Sequence, residues 1–572
     1  MHKHVIYQLF VRHFGNRKTR NKPYGTIREN GCGKFNDIND KALAALKDFG
    51  ITHIWYTGVL EHATLSDYTA YGITPDHPLV VKGRAGSPYA VKDYYDVDPD
   101  LAENVTQRMT EFEALIHRTK AHGLKAIIDF IPNHVARIYH SDQKPENVRD
   151  FGEDDNPELP FSPENNFYYL PGQPLRLPDG LNSLTKSNQP FSELPARATG
   201  NDVFSPTPGL YDWYDTAKLN YGVDYLNGRR AYFDPVPDTW LKMKDILLFW
   251  VGKGVNGFRC DMAEMVPVEF WAWIIPQLKA VAPDLIFIAE IYNPGEYHRY
   301  IQQGGFDYLY DKVGLYDTLR RLIEGNGHAD EITRVWQQES GDIAHHMLRF
   351  LENHDEQRIA SRFFAGDPFK ALPAMALSAT LHGGPLMIYA GQEVGVAAQG
   401  SEGYQGDDGR TTIYDYWGIP ELQAWTNRGR FDGGGLSDRQ KALRQFYQRL
   451  NLVVRKNEAF SRGAFYDLQY VNFHGQSQGY DSSRIFSFLR YTDQQKIVAV
   501  FNFDHHRHFA TYLRIPEQVW TELLGFDSGL QVKLREIFDG QSPEIRFCFR
   551  ESPEGIPLDL PPNSFRLWEI GQ

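Results

Sequence analysis

Apolar runs of strand length alternate with stretches of helical period through most of this 572-residue chain. The pattern begins with VIYQLF, continues through the helical stretch KALAALKDFG, and returns to an apolar run in ITHIWYTGV. Strands that alternate with helices form parallel sheets, because each helix carries the chain back to the start of the next strand. Eight strand and helix pairs follow one another in order. We therefore predict an α/β fold of the (β/α)8 TIM-barrel type.

The alternation is interrupted once, and it then stops. After the third strand, LKAIIDF, comes a segment rich in Pro, Asn, Asp and Gly that is too long for an ordinary connection. From about Phe460 the pattern changes to alternating strands with polar turns, as in SRIFSFLRY. We predict a barrel from residues 1–134 and 215–459, an inserted loop domain at 135–214 after strand 3, and a C-terminal antiparallel β-sandwich at 460–572.

Four of the predicted strands lead into a carboxylate. The runs AIIDF, GFRCD, LIFIAE and MLRFLENHD carry Asp129, Asp261, Glu290 and Asp355. In parallel barrels the active site is built where the strands end, on the face formed by the loops that follow. We therefore expect these side chains at one face of the barrel, as candidates for an acid, a nucleophile and a stabilising group.

The surroundings of two carboxylates favour different roles. Arg259 and Asp261 lie on the same side of the predicted strand, because side chains alternate along a strand. An adjacent guanidinium lowers the pKa of a carboxyl, which suits a nucleophile. Glu290 follows a wholly apolar run, and such a setting raises the pKa of a carboxyl toward that of a general acid. The pair suits glycoside hydrolysis, in which a carboxyl separation of about 5 Å implies retention and about 6.5 Å or more implies inversion.

Each of these residues also has a simpler interpretation. A single acid at a strand end is more often a helix cap or an ion-pair partner, and a lone histidine such as His134 or His354 is more often structural. The combination weighs against that interpretation, since His134 lies shortly after Asp129 and His354 directly precedes Asp355. Clustered carboxylates also suit a divalent-metal hydrolase, but the sequence contains no HExxH motif.

Composition excludes several classes of partner. Sixty basic against 73 acidic residues give a net charge of -13, so we expect no nucleic-acid partner. Aromatic residues make up 14% of the chain and can lie against sugar rings. The three cysteines Cys32, Cys260 and Cys548 leave no disulfide framework. Neither a signal peptide nor a run of transmembrane length is seen, so we expect no membrane partner and a cytoplasmic location, with a secreted mature form and the oligomeric state left open.

Several stretches of the chain resemble the signature regions of the α-amylase family, glycoside hydrolase family 13. DFIPNH, GFRCDMAEM, FIAEIY and FLENHD resemble its four main regions in their family order. TAKLN resembles the short region that closes the family's inserted domain, and IYQLFVRHFGN and GGPLMIYAGQEVG resemble its first and eighth strands. The resemblance covers the barrel, the insertion and the C-terminal domain.

The resemblance implies a role for each of the four carboxylates. Asp261 would be the nucleophile and Glu290 the acid/base, in agreement with the assignment from their surroundings. Asp355 would bind sugar hydroxyls and stabilise the transition state. Asp129 would be a structural member of the network.

The resemblance also implies a set of substrate-binding residues. Arg259 would orient the nucleophile, and His134 and His354 would hydrogen-bond the sugar at the cleavage point. Tyr89, in SPYAVKDYY, would stack on that sugar. The family's usual Gly-Tyr-Asp is Pro-Tyr-Ala here, so the usual Asp is replaced by Ala90.

Departures from the family pattern bear on the substrate. Enzymes that cut long α-1,4 chains commonly have Lys-His where this chain has Glu264 and Met265. TAKLN is closer to the form in neopullulanases and cyclomaltodextrinases, although no N-terminal β-domain is expected before Val5. We predict retaining hydrolysis of α-1,4-glucosidic bonds in starch-type glucans or maltooligosaccharides. The alternatives are an α-glucosidase or a neopullulanase-like, transglycosylating enzyme, and more distantly a non-catalytic carbohydrate-binding relative.

The resemblance further implies a metal site. Asn133 matches a position that binds calcium through the inserted domain in many family members, and its oxygen suits Ca²⁺. Capping of the turn after the third strand is an equally good interpretation of Asn133. We expect no cofactor for the chemistry itself and consider a structural calcium ion at Asn133.

Overall fold

The predicted strands form one parallel sheet in the computed structural model, which describes residues 3–181, 184, 190–473, 479–526, 531–540 and 544–571. The eight strands are β1 (Val5–Phe10), β2 (His53–Thr57), β3 (Lys125–Phe130), β4 (Gly257–Cys260), β5 (Ile286–Ala289), β6 (Tyr308–Tyr310), β7 (Met347–Leu348) and β8 (Leu386–Tyr389). Their order is β7-β6-β5-β4-β3-β2-β1-β8, and a parallel bridge between Arg349 and Leu386 joins the two edges. The predicted (β/α)8 barrel is confirmed.

Helices follow the strands and bury their apolar faces. The main ones are α1 (Asp40–Asp48), α2 (Arg108–Ala121), α3 (Asp238–Gly252), α4 (Val268–Val281), α5 (Tyr297–Gln302), α6 (Asp317–Ile323), α7 (Leu372–Thr380) and α8 (Asp438–Lys456). Further short helices are Val11–Phe14, Ile27–Asn30, Glu331–Val335, Pro420–Thr426, Ala459–Arg462 and Gln469–Asn472. In α3 the residues Trp240, Met243, Leu247 and Trp250 recur at helical spacing, fall near one face and are all buried.

The seventh strand is shorter than its apolar run suggests. The stretch MLRFLEN predicts a strand of ordinary length, but β7 ends at Leu348. The chain then turns, because the buried Glu352 accepts a hydrogen bond from the Ile359 backbone N–H and pairs with Arg358. As a result Asp355 lies on the loop after β7, several residues beyond the end of the strand.

The segment after β3 contains short antiparallel ladders that are separate from the barrel sheet. The strand His134–Ala136 pairs with Thr216–Lys218, so the beginning of the predicted inserted domain lies beside its end. A smaller ladder joins Tyr169–Leu170 to Ala196–Arg197 within the segment. Residues 182–183 and 185–189 of the predicted insertion lie outside the described residues. We retain 135–214 as the proposed extent of the insertion.

The C-terminal part is antiparallel, as predicted. Its strands are β9 (Ala464–Asp467), β10 (Ile485–Tyr491), β11 (Lys496–Asn502), β12 (Phe509–Leu513), β13 (Val532–Glu536), β14 (Ile545–Phe547), β15 (Ile556–Leu560) and β16 (Ser564–Gly571). Six of them form a sheet in the order β9-β10-β11-β16-β13-β14, and β12 pairs with β15 in a second sheet. Buried Val498 and Val500 of the first sheet share a core with Leu513 and Leu558 of the second. Within the described part of the chain, no helix is long and apolar enough to cross a membrane.

Candidate active site

Strand pairing brings two of the predicted carboxylates to the same edge of the barrel. Asp261 directly follows β4, and its backbone N–H donates to Phe130 O at 2.9 Å. Glu290 directly follows β5, and its backbone N–H donates to Cys260 O at 3.1 Å. The two residues thus continue the barrel ladder by one step beyond the strands. Both side chains are largely buried, with exposed fractions of 6% and 3%.

A single buried guanidinium contacts three of the four carboxylates. Arg259 Nη1 donates to Asp261 Oδ1 at 2.7 Å and lies 3.4 Å from Asp129 Oδ1. Arg259 Nη2 lies 2.8 Å from Glu290 Oε2. The guanidinium is itself held by Tyr310, whose hydroxyl accepts a hydrogen bond from Nε at 3.1 Å. The alternation of side chains along β4 predicts Arg259 beside Asp261. The contact of Arg259 with Glu290 arises because β5 is the neighbouring strand.

Burial dominates the electrostatics of the pair. Burial raises the pKa of Glu290 to about 7, and Arg259 offsets part of that rise while the charges of Asp261 and Asp355 add to it. Burial also raises the pKa of Asp261, and the contact with Arg259 only partly offsets this. The raised pKa of Glu290 agrees with the prediction from the apolar run before it. For Asp261 the sequence predicts the neighbouring guanidinium, but it does not show the burial that raises the pKa.

Two further contacts fix the Glu290 carboxyl. The Tyr292 hydroxyl donates to Oε1 at 2.6 Å, and the Met262 backbone N–H donates to Oε2 at 2.8 Å. Met262 adopts a left-handed backbone conformation with a φ of 43°, which a non-glycine residue rarely adopts and which marks a strained turn directly after Asp261. Both oxygens of Glu290 are therefore held in place.

Asp355 approaches the pair from the loop after β7. Its side chain is 41% exposed, and His354 Nε2 lies 3.0 Å from Asp355 Oδ2. Although burial raises the pKa of Asp355, the charges of His354 and Arg259 lower it to about 2. The other ring nitrogen of His354 lies 2.8 Å from Gln8 Nε2 on β1. Tyr89 stacks on the His354 ring with 5.0 Å between ring centroids.

A cavity of about 380 Å³ lies over these groups. All the residues predicted to act at the site except the fully buried Arg259 contribute to its lining: Tyr89, His134, Asp261, Glu290, His354 and Asp355. Burial lowers the pKa of His134 to about 4, so this imidazole is neutral at pH 7. The Tyr89 hydroxyl makes no hydrogen bond within the described residues. Such groups are suited to hydrogen-bond sugar hydroxyls.

One open groove adjoins the cavity. It has a volume of about 720 Å³, shares Lys82, Trp213 and Tyr414 with the cavity and continues past Tyr211 and Tyr404. A separate groove of about 430 Å³ is lined in part by Glu264, Met265 and Asn293 and shares no lining residue with the cavity. A larger groove of about 1110 Å³ lies between α8 and the C-terminal domain but has none of the four carboxylates in its lining. The catalytic groups therefore line a cavity that is smaller than this groove.

Some residues of the site were not predicted from the sequence. Tyr292 lies two positions after Glu290 in the quoted FIAEIY, so its spacing is a signal that could have found it. Gln8 is on β1 and Trp213 is in the insertion, and neither carries a local signal. Lys82 and Asp215 form an ion pair of 2.7 Å at the wall of the cavity, between positions far apart in the chain.

The surroundings of Asn133 do not fit a calcium ion. Lys218 Nζ donates to Asn133 Oδ1 at 2.7 Å, so a positive charge already occupies that oxygen. Asn133 Nδ2 donates to Gly200 O at 2.6 Å, which engages a backbone oxygen that could otherwise serve as a ligand. Calcium requires six to eight oxygen ligands and would be repelled by an ammonium group at this position. No step of the chemistry is assigned to a metal.

Known proteins agree with the fold and with the family resemblance. The family model for the catalytic domain of alpha-amylase matches residues 8–414. Alpha-amylase 3 of Dictyoglomus thermophilum is 24% identical over 488 residues, which are 80% of this chain and 78% of that protein. The cyclomaltodextrin glucanotransferase of Geobacillus stearothermophilus is 24% identical over 405 residues, which are 67% of this chain and 48% of that protein, so this chain matches about half the length of that relative.

A solved structure of similar fold is the alpha-amylase of Geobacillus thermoleovorans, determined with acarbose. Its TM-score is 0.62 at 17% identity, and the match covers 100% of this chain and 98% of that one. At this identity the likeness shows the fold alone. The family model, however, covers well over half of the chain. The chain belongs to the α-amylase family, glycoside hydrolase family 13.

Proposed function

We propose that this enzyme cleaves α-1,4-glucosidic bonds of starch-type glucans or maltooligosaccharides with retention of configuration. The observation that carries the proposal is the pair Asp261 and Glu290, held by adjacent nitrogens of one buried guanidinium. A shared guanidinium keeps the two carboxylates close, which favours the separation of about 5 Å used by retaining enzymes over the 6.5–9.5 Å used by inverting ones.

The proposed reaction has two steps. Asp261 attacks the anomeric carbon while Glu290 donates its proton to the leaving glycosidic oxygen, so a glycosyl ester forms and the glycosidic bond breaks. Glu290, now ionised, then takes a proton from water, and the resulting hydroxide oxygen attacks the same carbon and releases Asp261. A pKa of about 7 suits Glu290 to both proton transfers near neutral pH.

Asp355 and the histidines support binding at the cleavage point. An ionised Asp355 accepts hydrogen bonds from sugar hydroxyls, and its low pKa keeps it ionised throughout the working range. Neutral His134 both donates and accepts hydrogen bonds. Tyr89 offers a ring face to the sugar. These side chains would bind the sugar whose anomeric carbon Asp261 attacks. The leaving group lies on the other side of the bond that is cleaved.

The grooves support a chain substrate over a disaccharide. The groove past Trp213 and Tyr211 opens directly from the catalytic cavity, with which it shares three residues of its wall. The leaving group must lie beside the proton donor Glu290, and Tyr292, which donates to Glu290, directly precedes Asn293 in the lining of the second groove. Space for several sugars beside the cavity supports endo-acting cleavage over an α-glucosidase that binds one terminal sugar.

Transglycosylation is the second candidate. The groove near Glu264 and Met265 also contains the aromatic rings of Tyr225, Phe233 and Tyr300, and aromatic rings can bind an acceptor sugar. A sugar hydroxyl can replace water in the second step, because both attack the same intermediate. Chromatography of products from maltotriose distinguishes the two: products longer than maltotriose indicate transfer.

The central proposal is tested with maltoheptaose. Reducing sugar is measured for the wild type and for Glu290→Gln, and the first anomer released by the wild type is identified by NMR. We expect activity from the wild type alone and an α-anomer. A β-anomer would overturn the double displacement, and equal, null activity of both proteins would overturn the enzyme assignment.

The three cysteines are free, and we propose a reducing, cytoplasmic compartment.

A further inference from the structure

We infer that the ammonium group of Lys218 takes the place of a structural metal ion between the inserted segment and the barrel, so that this junction does not require Ca²⁺ for its stability. The inference goes beyond the proposed function, because it concerns how the walls of the site are held together.

Lys218 is buried and bridges two parts of the chain. Its exposed fraction is 1%, and Nζ contacts Asn133 Oδ1 at 2.7 Å and Asp202 Oδ1 at 2.5 Å. Asn133 follows β3 of the barrel, whereas Asp202 belongs to the inserted segment. The ammonium also lies 5.1 Å from the centroid of the Tyr225 ring. These contacts give one cation three electron-rich partners drawn from separate segments.

The charge balance favours an ammonium over a divalent ion. Lys218 and Asp202 form a neutral pair, with the amide of Asn133 as an uncharged third partner. A calcium ion at the same oxygens would find one carboxylate and one amide oxygen, far fewer than the six to eight ligands it requires. The ion would also lie close to the ammonium of Lys218. The same oxygens therefore cannot serve both cations.

The bridge also positions the active site. Lys218 pairs with His134 in the antiparallel ladder, and His134 directly follows Asn133. Thr216, two residues before Lys218, belongs to the same strand and lines the catalytic cavity. Lys218 itself is not among the residues that line that cavity. It is therefore a positioning residue, which acts on the sugar through His134 and the strand of Thr216.

The first test measures metal dependence in the full chain. Thermal unfolding is recorded for the wild type after EDTA treatment and dialysis, and again with CaCl2 added. We expect the melting temperature to change by less than about 1 °C in either condition. A fall of several degrees with EDTA that CaCl2 restores would overturn the inference. This readout is independent of activity, so it stands even if the proposed substrate is wrong.

The second test changes the cation. Lys218→Met keeps much of the side-chain volume but leaves Asp202 and Asn133 without the ammonium, and we expect the melting temperature to fall by about 2–4 °C. Lys218→Arg keeps a cation and should recover most of that loss. Lys253→Met removes a surface ion pair with Glu113 and is the matched control, with an expected change below about 1 °C.

Each outcome of the second test bears on the inference. Lys218→Met as stable as Lys253→Met would overturn it. If Lys218→Met does not fold, Asp202→Asn supplies the measurement, because Asp202 is partly exposed and its loss should lower the melting temperature by a smaller amount. An unchanged melting temperature for Asp202→Asn would then count against the bridge.

A kinetic measurement tests the positioning role and rests on the proposed function. For Lys218→Met we expect the KM for maltoheptaose to rise roughly 3- to 10-fold with a smaller change in kcat, because His134 binds the sugar before and during the reaction. Lys218→Arg should restore the KM. A loss confined to kcat would contradict positioning through His134 and leave the metal result unaffected.

Discussion

Arg259 on β4 lies 2.8 Å from Glu290, which follows the neighbouring strand β5, and the same guanidinium contacts Asp261 at 2.7 Å. This sharing couples the two carboxylates. Before the reaction Glu290 is protonated and uncharged, so the pair carries only the negative charge of Asp261. The guanidinium stabilises this charge. When Glu290 gives up its proton, Asp261 becomes an uncharged ester. The charge next to Arg259 is thus nearly constant through the proposed first step.

The first prediction concerns the proton donor. Glu290→Gln keeps the shape of the side chain but removes the proton that the leaving group requires. We expect kcat on maltoheptaose to fall about 10²- to 10⁴-fold, as is usual for loss of a general acid. Reducing-sugar release measures the change. Glu113→Gln, on the exposed side of α2 and away from the cavity and grooves, is the control and should retain wild-type activity. More than one-tenth of wild-type activity in Glu290→Gln would contradict the assignment.

The second prediction concerns pH. The proton donor must be protonated in the free enzyme, so kcat/KM should fall as pH rises through about 7, the pKa of Glu290. The hydrogen bond from Tyr292 stabilises the ionised carboxyl and lowers that pKa. Tyr292→Phe removes the bond, and the fall in kcat/KM should then move to higher pH by up to about one unit.

The control for the pH profile is another buried tyrosine. The Tyr297 hydroxyl has no hydrogen-bond partner within the described residues, so Tyr297→Phe should leave the profile where it is. Profiles of kcat/KM between pH 5 and 9 compare the three proteins. A shift to lower pH in Tyr292→Phe would mean that Glu290 is not the group that limits activity at alkaline pH.

The sequence predicted most of what depends on local pattern. The apolar runs before Asp261 and Glu290 became barrel strands, because burial on both faces of a parallel strand leaves a continuous apolar stretch. Their position directly after the strands followed from that. The loop position of Asp355 did not follow, because the turn of Glu352 toward Ile359 depends on contacts that the apolar run does not show.

Features that depend on distant partners were outside the reach of the sequence. Asn133 was considered a calcium ligand, but the ammonium of Lys218 arrives from a position 85 residues later. The sequence predicts a lowered pKa for Asp261 beside Arg259. The pKa is raised instead, because the fold buries the carboxyl. A pattern within one strand identifies the neighbouring charge and does not measure how much water the rest of the fold removes.

The third prediction concerns the shared guanidinium. Lysine keeps the positive charge but has one compact ammonium, so Arg259→Lys cannot contact Asp261 and Glu290 in the same way. We expect kcat to fall about 100-fold, because an incompletely paired buried charge costs about 3 kcal/mol or more. Arg439→Lys, in an exposed ion pair with Asp367, is the control. Wild-type kcat in Arg259→Lys would show that the charge alone matters.

The fourth prediction tests whether a long glucan chain occupies the groove past Trp213. The Tyr211 side chain is 92% exposed and borders this groove, as does the 38% exposed Tyr404, whose ring lies 5.1 Å from that of Tyr414. Exposed tyrosine rings beside a catalytic cavity can stack on successive sugars. We expect Tyr211→Ala and Tyr404→Ala each to lower kcat/KM for maltoheptaose about 3- to 10-fold, since ring contacts contribute about 0.5–1.5 kcal/mol.

Maltotriose separates a groove effect from a general one. Tyr211 lines the groove and not the catalytic cavity, so we expect three sugars bound around the cleavage point to leave it free and kcat/KM for maltotriose to be unchanged in both variants. Tyr470→Ala removes a ring that is 53% exposed in the C-terminal domain and should affect neither substrate. Equal losses on maltotriose and maltoheptaose would place the defect in the catalytic cavity. No loss on maltoheptaose would mean that the chain leaves the cavity by another path, and endo-acting cleavage would lose its structural support.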